Sequence, residues 1–112
     1  LKKNNINWII KINYVLPLWV DIKKAPESLQ KRWVNYFSNI LIHENGHRDH
    51  FIDASKDIKK YLDKVTLDFQ SDCLSFMAVV KKKMISIFRS YEKKSLQYDI
   101  DTQHGLNQGV LL

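Results

Sequence analysis

Only one cysteine, Cys73, is present, so no internal disulfide can form. It falls at an apolar position of a helical pattern, where a buried free thiol is expected. No run approaches the ~18 consecutive apolar residues that a membrane span needs, so none is expected. Arginine is scarce: Arg32, Arg48 and Arg89 are the whole set. The lysines are scattered in pairs and one triplet rather than interleaved with aromatics on one surface. The net charge of +6 therefore does not indicate a nucleic-acid partner, and Lys81 to Lys83 read as a solvated face. Internal repeats and low-complexity linkers are absent as well. Leu1 carries neither an initiator methionine nor a signal-peptide pattern, which makes an excised domain or processed fragment the expectation.

What is present fits one small domain. A chain of 112 residues, 45% hydrophobic and 27% charged, can build a single modest core. From Ile6 the even positions Ile6, Trp8, Ile10, Ile12, Tyr14 and Leu16 are apolar, a period of two that predicts a β-strand ended by Pro17. Ala25-Pro26-Glu27-Ser28 is a helix entry. A stripe then runs through Leu29, Trp33, Phe37, Ile40, Glu44, His47, Phe51, Ala54, Ile58, Leu62 and Val65 at steps of three and four. A second stripe, Phe69, Cys73, Met77, Val80, Met84, Ile87, Tyr91, predicts another long helix starting around Thr66 to Asp68. The tail from Tyr98 holds two of the three glycines and loses all periodicity, as an ordered loop or short hairpin would. The expected class is α+β: N-terminal strand on two long antiparallel helices, with an ordered glycine-containing tail.

The first stripe is interrupted by polar residues within His43-Glu44-Asn45-Gly46-His47. Polar groups on a buried face are costly unless partnered. Helical residues i and i+4 lie ~40° apart, so His43 and His47 can aim ring nitrogens at one point. Such a point can hold zinc, one ion per chain, at ~2.0 to 2.1 Å from each nitrogen. Glu44, ~100° around the helix from His43, adjoins the site without having to bind the metal. A carboxylate there suits a general base that takes a proton from the attacking water, the logic of H-E-x-x-H in metalloproteases. The competing reading is a pair of structural histidines bonded to backbone carbonyls. Gly46 costs ~1 kcal/mol against alanine in mid-helix, so close packing against it is expected, with the Ile6 to Leu16 strand as the candidate neighbour.

HENGH, a second helix, and then Tyr98-Asp99-Ile100-Asp101-Thr102-Gln103-His104-Gly105-Leu106-Asn107-Gln108-Gly109 together resemble the bacterial family known as domain of unknown function 922. Leu16 to Trp19 and the Trp33, Tyr36 pair fit the same resemblance, which covers Tyr14 to the end of the chain. The family's members are described as predicted secreted zinc-dependent proteases. The resemblance implies a zincin-like fold, zinc dependence, a peptide or protein substrate, and export to a secreted or periplasmic location. It also implies that residues 1–112 are one metallopeptidase domain whose N-terminal part is absent or shortened, together with any cysteine partner for Cys73. A non-catalytic metal-stabilised binding or structural module of the bacterial envelope is the rival function.

For the third ligand, His104 is the expected residue, with Asp99 and Asp101 as the fallback. Two long antiparallel helices would return the chain past the motif, and a helix break near Gly46 to His50 would ease the closure. Gly105 would permit the tight backbone, and Asp101 or Thr102 could orient the ring. His50 is disfavoured, because it lies ~10.5 Å along the axis from His43. Asp49 and Asp53 read as surface acids. Asp99 is also a candidate to orient a ligand imidazole, and Tyr98 to donate to an oxyanion or to anchor the tail.

Overall fold

Pro26 starts the first helix. Its fixed φ of −56° and extended ψ of 146° let its carbonyl accept from the backbone N–H of Leu29 and Gln30, each at 3.0 Å. Gln30 Nε2 donates back to the Ala25 carbonyl at 2.8 Å, and Glu27 places an acid in the first turn. Helix α1 then runs unbroken over Glu27–Lys64 in this computed structural model, which describes residues 9–65 and 72–112. Helix α2 spans Cys73–Asp101 and opens on Asp72, whose carboxylate accepts from the Ser75 N–H at 2.7 Å. The expected start around Thr66 to Asp68, and Phe69 of the second stripe, lie outside the described residues.

The two helices pack antiparallel, with His47 against Ser95 and Phe51 stacked on Phe88 at 5.6 Å. In that register the first residues of α2 lie beyond Lys64. This explains why Leu74 and Met77 are exposed, and why Cys73 is exposed rather than buried as its stripe position suggested. The apolar core is thin: Ile40, Ala54 and Ile58 are its buried members among the described residues. None of the helices among them is long and apolar enough to cross a membrane.

The expected α+β class is overturned, because no strand forms among the described residues and the architecture is helical. Of the expected strand, Ile6 and Trp8 lie outside the described residues. The rest lies beside α1: Ile10 and Ile12, both exposed, border an open groove with Phe51, Ala54 and Ile58, and the Tyr14 hydroxyl donates to Asn45 Oδ1 at 2.6 Å. Only the end of the segment keeps the alternation, with Tyr14 and Leu16 half-buried and Val15 exposed, whereas Ile10 and Ile12 are exposed. The segment builds no ladder, because among the described residues no second strand supplies the hydrogen bonds. A 3-10 turn over Ile22–Lys24 follows, and the Trp19 ring meets Trp33 edge-on at 5.6 Å.

After α2 the chain reverses tightly. Gln103, His104 and Gly105 all have positive φ, and a 3-10 turn over Leu106–Gln108 carries the tail back onto α1. Gly109 ends that turn at φ 83° and its carbonyl accepts from Asn39 Nδ2 at 3.0 Å. The tail is thus pinned one turn ahead of His43.

Candidate metal centre

His43 and His47 leave α1 on the face turned toward α2, one helical turn apart, with ring centroids 4.9 Å apart. His43 is buried and His47 half-buried. Opposite them stands Asp99, in the last turns of α2. Its Oδ1 lies 3.1 Å from His43 Nε2 and 2.8 Å from His47 Nε2. Donor atoms from these three residues lie within 4.8 Å of one another, the kind of cluster that can hold a cation.

The outer nitrogens are held as well. His43 Nδ1 meets Gln108 Oε1 at 2.8 Å, and His47 Nδ1 meets the hydroxyl of the buried Ser95 at 2.5 Å. The Tyr98 ring stacks on His43 with centroids 5.0 Å apart and an interplanar angle of 16°. Its hydroxyl donates to the His43 carbonyl at 3.1 Å and accepts from Gln108 Nε2 at 2.8 Å. Gly46 makes this possible, since a Cβ there would overlap Tyr98 Cζ and Oη. Among the described residues, the atoms nearest to such a Cβ all belong to Tyr98 of α2, where residues 9–16 of the expected strand had been the candidate neighbour.

This arrangement creates an electrostatic demand at the centre. An ionised carboxylate only accepts, so Asp99 Oδ1 needs a proton or a cation on each of the Nε2 atoms it faces. A lone pair and a carboxylate oxygen at 3.1 Å repel unless positive charge sits between or beside them. An additional proton or a metal cation meets the demand. Two imidazole nitrogens and one carboxylate form a donor set that suits zinc, and partners on the outer nitrogens orient the rings as ligands require.

The remaining candidates occupy different places. His104 is exposed on the turn and lies outside the His43, His47, Asp99 cluster; its backbone N–H is used to bond the Asp99 carbonyl at 2.7 Å. The expected break in α1 near Gly46 to His50 does not occur. It is unnecessary, because α2 brings Asp99 opposite the motif while still helical. Asp101 is exposed and accepts from Gln97 Nε2, and Thr102 donates to the Tyr98 carbonyl at 2.8 Å, so both stabilise the helix end. Asp49 and Asp53 are exposed. His50 packs edge-on against Tyr98 at 5.6 Å, with its Nδ1 buried and unpartnered among the described residues. Glu44 is half-buried and engages in no hydrogen bond among the described residues.

Ser95 and Gln108 were not singled out from the sequence. Ser95 had a signal: the second stripe continues from Tyr91 by a step of four to Ser95 and from there by three to Tyr98 or four to Asp99, so it turns polar as the first stripe does. Gln108 had none, lying in aperiodic tail.

Compared with known proteins, the chain matches the sequence model of a family described as a bacterial protein of unknown function (DUF922), over residues 3–105. No curated protein and no solved structure matches it.

Proposed function

The chain belongs to this DUF922 family of bacterial proteins, and from the convergence of His43, His47 and Asp99 we propose that it is a zinc-dependent peptidase. The observation that carries the reading is the pair of short Nε2 contacts to one carboxylate, beside an unengaged Glu44. Three protein donors leave a fourth position for water, as in catalytic rather than structural zinc sites. A zinc ion held there supplies Lewis acidity, polarising a carbonyl and acidifying water to a pKa of about 7.

The chain's own residues do the rest. Glu44, next to His43 in sequence and ~100° around the helix, has a carboxylate free to take the proton of the attacking water and return it to the leaving amine.

Glu44→Gln tests the reading. The variant should keep its zinc and lose peptide hydrolysis, because the base is removed and the donors remain. Equal cleavage by parent and variant would rule out Glu44 as base. A zinc-loaded parent that cleaves no peptide would favour the non-catalytic module, in which the metal pins α2 and the tail to α1.

A further inference from the structure

We propose that the apolar groove beside Phe51 is a side-chain subsite of the candidate peptidase, selecting peptides with a large apolar residue within two positions of the cleaved bond. The inference rests on the peptidase reading and adds a substrate class to it.

The groove follows from the spacing of large and small residues along α1. Phe51 and Ile58 stand two turns apart with the small Ala54 and Ser55 between them, so the helix surface dips there. Ile10 and Ile12 line it from the N-terminal segment, and Phe88, stacked on Phe51, lines it from α2. The space has a volume of about 380 Å³, within the ~300–1,000 Å³ of ligand pockets. Its lining is apolar except for Lys11 and Ser55, and the Ser55 hydroxyl is turned away to the Ile52 carbonyl at 2.6 Å. Ile10 is 44% exposed, Ile12 37% and Phe88 43%. Single exposed apolar residues are ordinary on a surface, but three that converge on one depression favour an apolar occupant.

Position ties the groove to the candidate metal centre and names that occupant. Phe51 follows His47 by one turn, ~6 Å along α1. It follows Glu44 by seven residues, which returns it to within ~20° of the same line on the helix, and Ile58 repeats the step. Glu44, Phe51 and Ile58 therefore run in file, the proposed base first and the groove after it. An extended peptide advances ~3.3–3.6 Å per residue, so a substrate with its carbonyl at the centre brings a side chain one or two residues away to the groove. The lining offers no free hydrogen-bonding group to an acid or amide, and Lys11 repels a cationic side chain. Phenylalanine, leucine and methionine remain as the side chains that fit.

The subsite can be read without hydrolysis, in the metal-free chain. Capped pentapeptides with phenylalanine, alanine or lysine between two alanines on each side are titrated into the 15N-labelled protein. The phenylalanine peptide should shift the amides of Phe51, Ala54, Ser55 and Phe88 and bind at least tenfold tighter than the other two, on the order expected for burying a large apolar side chain. Ser55→Trp, which fills the groove from its floor, should abolish that preference, and Ser55→Ala should keep it. Ile12→Ser, at an exposed position, removes lining without crowding and should weaken the preference too. All three variants should bind zinc as the parent does. Equal affinity for the three peptides, shifts confined to other surfaces, or a Ser55→Trp chain that keeps the preference would overturn the proposal. Groove amides that shift with protein concentration alone would assign the groove to a second copy of the chain and overturn it as well. Zinc loading separates the two claims. Cleavage within two bonds of the phenylalanine supports both, whereas a loaded parent that prefers the phenylalanine peptide but cleaves none sinks the peptidase reading and leaves the groove as an apolar side-chain site.

Discussion

Tyr98 fills the space that a side chain at Gly46 would need, and it uses that closeness to bond the His43 carbonyl. A mid-helix glycine is thus tied to the positioning of a neighbouring histidine. Gly46→Ala gains up to about 1 kcal/mol of helix propensity but must displace a ring held by two hydroxyl hydrogen bonds. A net loss of roughly 1–3 kcal/mol is expected. In a Tyr98→Ala background the same substitution should turn neutral or stabilising. Urea unfolding of the four proteins measures the difference, and an equal effect of Gly46→Ala in both backgrounds would show that the two residues are not coupled.

Metal loading should stabilise the fold strongly, because the apolar core is thin and the cluster joins α1 to α2. With free zinc at one hundred times its dissociation constant, unfolding should cost about 2.7 kcal/mol more than in the metal-free chain. Thermal unfolding with and without a chelator checks this. An unchanged midpoint would mean that zinc does not bind the native state selectively.

The cap of α2 should make a separate, pH-dependent contribution. The backbone N–H of Ser75, and then its hydroxyl, hold the Asp72 carboxyl below the usual carboxylate range. A carboxyl with a lowered folded-state pKa contributes stability above its unfolded pKa and loses it as pH falls through the folded value. Asp72→Ala should therefore lower the melting temperature at neutral pH, with the gap to the parent closing in acid. A gap that persists unchanged at acid pH would show that the carboxylate charge is not what the cap uses.

The histidine pair could be read from spacing alone, because i, i+4 geometry in a helix is fixed by the backbone. The apolar stripe also located Ile40, Ala54 and Ile58, all buried. Local pattern said less about partners. The period of two between Ile10 and Leu16 has an inward face only at Tyr14 and Leu16, and there the Tyr14 hydroxyl meets a helix side chain, Asn45, instead of a sheet. The expectation of His104 followed from ligand chemistry and from treating the tail as the element that returns to the motif. The structure instead brings Asp99 there from within α2, leaving His104 on a turn with φ 55°. The register of two helices decides between residues five apart, and register is set by packing across the pair, not by spacing within either helix. Gln108 was out of reach for the same reason: its partners, His43 and Tyr98, come from two other segments.

Zinc binding by Asp99→Ala and His104→Ala, measured beside the parent by titration calorimetry and metal analysis, tests the central claim most directly. The account expects about one zinc per parent chain, a loss of affinity by orders of magnitude on removing Asp99, and little change on removing His104. A parent that takes up no zinc after reconstitution, or an Asp99→Ala chain that binds as tightly as the parent, would contradict it.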